Sequence, residues 1–352
     1  MARALALAER GRATTRPNPV VGAVIVRDGD VVGEGWHERA GGPHAEIVAL
    51  GAAGEAARGA TVYTTLVPCA HRGRTGPCAD ALIVSGVARV VYGLRDPNPL
   101  ASGGSERLAD AGVEVEGGLL ADWVAEQNDV FLHVHAHGRP HVTLKLAQTL
   151  DGDLRGQGRW ITGPRARKTV HRIRARVDAV LVGSGTVIDD DPGLDVRHVD
   201  APGGQPRAVV LDARGRTPLG ARVVRPGTIV LTTEAAPAAH ATSLAELGVT
   251  IELVPAGDRG GIDLYAALKA LMTHDIRSVL VEGGGDVAAS FVAEQLVDVL
   301  VLHVAGTTVG GSGVLRTPVS VIPAGDAAWR WKRERARPLG EDLEIVAVPE
   351  AG

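Results

Sequence analysis

Apolar residues fall in short runs separated by glycine, proline and charged positions, never in one long block. Residues 20–26 follow a Pro-Asn-Pro turn and predict a buried strand. Residues 44–57, with Pro43 just before them, predict a helix. Residues 60–66 read as a strand, 79–85 as a helix closed by Gly86, and 88–92 as the next strand. Over 130–138 histidines alternate with apolar residues, a mixed strand and linker by this reading, and Gly138-Arg139-Pro140 marks a domain boundary. The pattern then restarts with a strand over 141–147 and a helix capped by Thr162, with Pro164 in its first turn, running to about Arg176. Strands follow at 179–182, 208–211, 228–231, 250–254, 278–281 and 297–304, with helices at 264–272 and 286–295. The tail after Thr317 carries little signal. Strands alternating with helices on both sides of a boundary predict two α/β domains, 1–138 and 139–352.

Composition narrows the partners. The 352 residues are 45% hydrophobic and 22% charged, the profile of a globular chain large enough for two cores. A net charge of −4 leaves no global basic field for nucleic acid or an anionic membrane. No apolar run reaches the roughly 18 residues a membrane span needs, and the first residues mix Arg3, Glu9 and Arg10 among alanines, unlike a secretory signal. Two cysteines exclude a disulfide scaffold and point to a reducing, cytoplasmic compartment. The expectation is a homo-oligomeric chain acting on a small molecule.

The two cysteines sit in one motif. His44-Ala45-Glu46 opens a predicted helix, Pro68-Cys69 follows a predicted strand, and Pro77-Cys78 opens the next helix. One imidazole and two thiolates suit zinc, and three protein ligands leave a fourth tetrahedral position for water. The metal would acidify that water, and Glu46, two residues from a ligand, could take its proton and pass it to a leaving amine. Two buried thiols without metal, or a closed structural site completed by His71 or His37, are the plainer alternatives.

His-x-Glu followed by Pro-Cys and a second Cys resembles the zinc-dependent nucleobase deaminases. Many members place two residues between the cysteines, whereas here eight separate Cys69 from Cys78. That long loop, with 17–24 (PNPVVGAV), Gly35-Trp36-His37 and Asp96-Pro97-Asn98-Pro99, is similar to the deaminase half of bacterial bifunctional riboflavin-biosynthesis enzymes. The resemblance implies a cytidine-deaminase-like three-layer domain whose pyrimidine pocket is lined by Asn18, His37, His71 and Arg74. Arg74 would pair with a phosphate. Asn18 could equally do no more than form a turn between prolines.

Glu282-Gly283-Gly284-Gly285-Asp286 lies between a predicted strand and helix, where glycines let a backbone approach a phosphate. It lacks the G-x-G-x-x-G fingerprint, and alone it signals little. Residues 143–152 (TLKLAQTLDG), Trp160-Ile161-Thr162 and 185–192 (GTVIDDDP) look like the reductase half of the same enzymes, which is dihydrofolate-reductase-like. The resemblance runs from Ala4 to about Leu315. It implies that NADPH contacts Ala147, Trp160, Thr186, Asp190 and the stretch Gly284, Gly285, Asp286, Val287, Ala288, Ala289 and Ser290. A ribosylamino phosphate would meet Gly158, Arg174, Asp191, Leu194, Arg197 and Glu282, with Lys145 polarising the ribose imine or aldehyde as hydride arrives. Gly158 stands where members often carry Ser, and Arg72 where many carry His or Tyr. The implied activity is hydrolytic removal of the 2-amino group of a diaminopyrimidinone ribosylamino phosphate, then reduction of its ribosyl chain to ribityl.

Two further clusters have plain readings. Arg155, Arg159, Arg165, Arg167, Lys168, Arg172, Arg174 and Arg176 suggest a solvated helix face, with one or two members reaching a phosphate, rather than a nucleic-acid patch. His133, His135, His137 and His141 suggest a domain junction rather than a second metal site. A zinc deaminase acting on RNA or a free nucleoside, and a non-catalytic nucleotide sensor, remain as rival functions.

Overall fold

The computed structural model describes residues 1–71, 76–154, 160–257, 260–308 and 330–350. The chain divides into two compact units, Met1–Gly138 and Arg139–Gly352.

The first unit runs α1 (Ala2–Ala8), β1 (Gly22–Arg27), β2 (Asp30–Trp36), α2 (Ala45–Ala53), β3 (Thr61–Leu66), α3 (Cys78–Val84), β4 (Arg89–Leu94), α4 (Gly104–Asp110), β5 (Glu114–Gly117), α5 (Ala121–Gln127) and α6 (Asp129–His137). Its sheet has the order β2-β1-β3-β4-β5. β1 pairs antiparallel with β2 and β3, and β3, β4 and β5 are parallel. Asp28 and Gly29 join β1 to β2 with φ of 54° and 90°, the left-handed pair of a tight hairpin turn. Ala23, Ile25, Val62 and Val90 pack on α2, α3 and α4 through Ala45, Ala49, Ala79, Leu82 and Leu108. Val24 faces the other way, onto Ala4 and Leu7 of α1. Helices on both faces make three layers, as expected.

The second unit runs β6 (His141–Thr149), α7 (Pro164–Arg174), β7 (Ala179–Gly183), α8 (Ser184–Asp190), β8 (Arg207–Leu211), β9 (Ile229–Thr232), α9 (Ala238–Glu246), β10 (Thr250–Leu253), α10 (Leu264–Met272), β11 (Ser278–Val281), α11 (Gly285–Ala293), β12 (Val299–Ala305), β13 (Trp331–Leu339) and β14 (Asp342–Pro349). The sheet order is β10-β9-β8-β7-β11-β6-β12-β14-β13. Its first seven strands are parallel, and β13 and β14 add an antiparallel hairpin. Parallel strands are covered on both faces, so both rows of side chains are apolar. Leu144, Leu181, Leu231 and Val281 pack on Leu268, Leu271 and Phe291 of α10 and α11. Val180, Val182, Val210 and Leu280 pack on the opposite side with Ile173 and Leu244. Each fully buried leucine contributes about 2 kcal/mol.

Several expectations need correction. Residues 129–137 are a helix, not strand and linker, and the i,i+4 pair His133 and His137 stacks with ring centroids 4.5 Å apart. The cap of α7 is Gly163, not Thr162, and no side chain caps it. The tail after Thr317 carries β13 and β14. Of the basic stretch, Arg165, Lys168 and Arg172 on α7 and Arg176 beyond it face solvent, as the reading of a solvated face has it, whereas Arg174 is buried and Arg155 and Arg159 lie outside the described residues.

Candidate metal centre and strand-end site

In the first unit α2, the loop after β3 and the start of α3 converge. α2 can lie this close to the sheet because Gly35 of β2 has no side chain. A Cβ there would stand 2.5 Å from the Ala45 carbonyl oxygen. His44 is the extended cap of α2, and Cys78 is the first residue of α3. His44 Nδ1 lies 3.2 Å from Cys78 Sγ and 3.6 Å from Cys69 Sγ, and the three ligand atoms all fall within 4.8 Å of one another. A tetrahedral zinc with ordinary Zn–N and Zn–S bonds sets its ligands roughly 3.5–3.8 Å apart, so the donors fit that metal in number, type and spacing. Both cysteines are unpaired by disulfide and buried. The Cys78 N–H donates to Cys69 Sγ at 3.5 Å, and hydrogen bonds from Cys78 and His44 hold the Cys69 thiol down at about 4.

Glu46, in the first turn of α2, is 3% exposed. Burial pushes its carboxyl up to about 7. Beside the ligands stands a polar wall. His37 Nδ1 donates to the Pro43 carbonyl at 2.9 Å, so its Nε2 accepts the Asn18 amide at 3.2 Å. The His37 ring meets His44 edge-on at 5.6 Å. Asn18 also makes the turn that the plainer reading offered, its N–H donating to Thr15 O at 2.9 Å. His71 is half-buried, and Arg74 lies outside the described residues.

In the second unit the expected residues collect at the carboxyl ends of β6, β7 and β11, the end of a parallel sheet where ligands bind. Lys145 and Ala147 alternate with Leu144 and Leu146 on β6, so they face the side on which α7 packs. Burial pushes the Lys145 ammonium below its ordinary range, with Glu282 opposing and Arg174 adding to the shift. Arg174 grips Glu282 through two hydrogen bonds of 2.6 and 2.8 Å and reaches the Asp195 carbonyl at 2.8 Å. Burial alone would raise the Glu282 carboxyl, but Arg174 and Lys145 hold it low.

The glycine turn meets α8 here. The Gly284 N–H donates to Thr186 Oγ1 at 3.1 Å, and Gly284 caps α11 with its backbone exposed. The first N–H groups of a nine-residue helix have no partner within the helix, and such a start suits a dinucleotide's phosphates. Gly285, Asp286 and Ala289 follow on α11, and Ser290 bonds back to Asp286 O. Trp160 is 60% exposed, with the Arg167 guanidinium 5.1 Å over its ring, and Asp190 ends α8 in solvent.

Not every expected side chain reaches this site. Leu194 (1% exposed) and Ala288 (4%) are core residues, so only their backbones are available to a ligand. Val287 packs against the core too, and a Cβ at Gly283 would stand 2.7 Å from it. Asp191 Oδ1 already accepts the Arg222 N–H at 2.7 Å. Arg197 remains 42% exposed, 3.8 Å from Asp195. Gly158 lies outside the described residues. One residue the sequence reading passed over also belongs here: His171, three positions before Arg174 on α7, lies on the same helix face.

Residues 1–94 match the cytidine and deoxycytidylate deaminase zinc-binding region, and 140–345 match the RibD C-terminal domain. The chain is 43% identical to the riboflavin biosynthesis protein RibD of Escherichia coli, over 99% of this chain and 98% of that one. It is 42% identical to the Aquifex aeolicus RibD, over 97% and 95%. It superposes on Acinetobacter baumannii RibD with a TM-score of 0.87 at 40% identity, covering 99% and 98%. A Thermotoga maritima diaminohydroxyphosphoribosylaminopyrimidine deaminase/5-amino-6-(5-phosphoribosylamino)uracil reductase gives 0.84 at 35%, covering 99% and 97%. Near-full-length identity at this level, with a deaminase zinc site in one unit and the reductase domain in the other, places the chain in the RibD family of bifunctional riboflavin-biosynthesis deaminase/reductases.

Proposed function

We propose that the first unit hydrolytically deaminates 2,5-diamino-6-ribosylamino-4(3H)-pyrimidinone 5′-phosphate and that the second reduces the product to 5-amino-6-ribitylaminouracil 5′-phosphate. The observation that carries the first step is a buried Glu46 beside His44, Cys69 and Cys78. Those three residues would hold zinc, which when bound lowers the pKa of a water toward 7. A carboxyl that changes protonation near neutrality can take a proton from attacking water and return it to the 2-amino group, which leaves as ammonia. Asn18 and His37 offer hydrogen bonds to orient the pyrimidine edge. Thiol ligands need reducing surroundings, in keeping with a cytoplasmic location.

For the second step Thr186, Trp160 and the start of α11 would hold NADPH, which supplies the hydride. Lys145, held near Glu282 with a lowered proton affinity, can give a proton to the ribose carbonyl or imine as it is reduced. Arg197 suits the 5′-phosphate, because its guanidinium is exposed whereas that of Arg174 is engaged by Glu282. Glu46→Gln should keep zinc, lose deamination and still reduce substrate supplied already deaminated. Retained deamination in Glu46→Gln would overturn the assignment.

A further inference from the structure

The segment that carries Arg197 is irregular, with Leu194 and His198 at φ of 52° and 66°. Non-glycine residues in this region hold their shape only where surroundings impose it. Among the described residues, side chains pin both polar groups of two successive peptides, Asp195–Val196 and Val196–Arg197. Arg174 Nη1 donates to the Asp195 carbonyl at 2.8 Å. Gln205 accepts the Val196 N–H at 2.6 Å and donates to the Val196 carbonyl at 3.2 Å. His171 Nδ1 accepts the Arg197 N–H at 3.0 Å. His171 is itself buried, and its ring meets His198 edge-on at 5.2 Å.

We infer that His171 is a positioning residue for the reductase substrate: as the neutral Nε2–H tautomer it fixes the Arg197 peptide and so aims the Arg197 guanidinium at the substrate's phosphate. This rests on the reading of the second unit given above. An imidazolium has no acceptor nitrogen, so the contact needs the neutral ring. Its surroundings keep it neutral: burial first, then the charges of Arg174, Arg197 and His198, against Glu282 alone, bring its pKa down to about 4. A hydrogen-bond acceptor therefore persists at Nδ1 throughout the neutral range.

The test is steady-state kinetics of NADPH oxidation with the deaminated ribosylamino phosphate. His171→Leu should raise KM about tenfold with kcat nearly unchanged, the effect of a loosened group that binds ground and transition states alike. His171→Asn, whose side-chain oxygen can replace Nδ1 as acceptor, should restore KM to near the wild-type value. In an Arg197→Ala background His171→Leu should add less than about twofold to KM, because residues that act through one another do not add. Should His171→Leu lose its melting transition, His171→Ala carries the same comparison. Full additivity with Arg197→Ala, an unchanged KM, or a loss confined to kcat would overturn the inference and leave the reductase assignment standing. Absence of any reduction by the wild-type chain would overturn both.

Discussion

Gly104 offers a sharp test of how the first unit holds its cysteine ligands. It is the first residue of α4, and its α-carbon lies against the segment that delivers Cys69. A Cβ at Gly104 would stand 1.7 Å from the Pro68 carbonyl oxygen and 2.9 Å from the Pro68 carbonyl carbon. Both atoms are backbone, so no side-chain rotation relieves the clash. To regain ordinary contact in Gly104→Ala, at 3.4 Å or more, the carbonyl must retreat by about 1.7 Å, and overpacking of this kind costs about 1–3 kcal/mol. Cys69 follows directly, and metal–ligand distances tolerate only about 0.2 Å. Displacing a ligand's support typically weakens metal affinity about 10–100-fold, and the expectation here is the upper end of that range or beyond. Zinc affinity, measured by competition against a chromophoric chelator, should fall accordingly. NADPH oxidation with deaminated substrate should be unchanged, because it belongs to the other unit. A Gly104→Ala chain that melts like wild type and holds zinc within about twofold of it would show that the Gly104–Pro68 contact does not hold Cys69 in place.

Two further outcomes follow from the second unit. Burial would raise the Glu344 carboxyl, but hydrogen bonds with His303 and Arg337, helped by Arg335, bring it down to about 2. A depressed folded pKa stabilises the protein above the unfolded value near 4.5, and the stabilisation is lost as pH falls toward 2. A shift of that size corresponds to roughly 3 kcal/mol, so Glu344→Gln should lower the melting temperature at pH 7 and flatten its decline below pH 4.5; an unchanged acid limb in circular-dichroism melts would contradict this. Glu282→Gln removes the bidentate partner of Arg174 and the carboxylate beside Lys145. It should reduce kcat/KM for NADPH oxidation about 10²–10³-fold while deamination continues, and an undiminished rate would contradict the role given to the pair.

Some of this was legible in the sequence because local chemistry and fold agree there. The central strands of the second unit are covered on both faces and read as continuous apolar runs. The metal donors show as well, since two cysteines in a whole chain both follow proline beside His-x-Glu. What stayed hidden has physical causes. β2 carries Gly33 and Gly35 where an apolar strand would carry side chains, because α2 presses against it, and its best marker was the Asp28-Gly29 turn. β13 is a charged edge strand, with Lys332, Arg333, Arg335 and Arg337 exposed, which protects the edge from pairing and erases the apolar pattern. Residues 129–137 alternate in sequence but form a helix, where His133 and His137 stack one turn apart. The core placement of Leu194 and the His171 contact to Arg197 depend on how the turn around residue 194 lies against α7, and no periodicity encodes that.

The most direct measurement follows the products when purified, zinc-loaded protein meets the diaminopyrimidinone ribosylamino phosphate, with and without NADPH, by mass spectrometry. Exchange of an amine for a carbonyl oxygen is expected without NADPH, and a gain of two hydrogens only when NADPH is present. No exchange under either condition would contradict the deaminase assignment, and exchange without reduction would contradict the role given to the second unit.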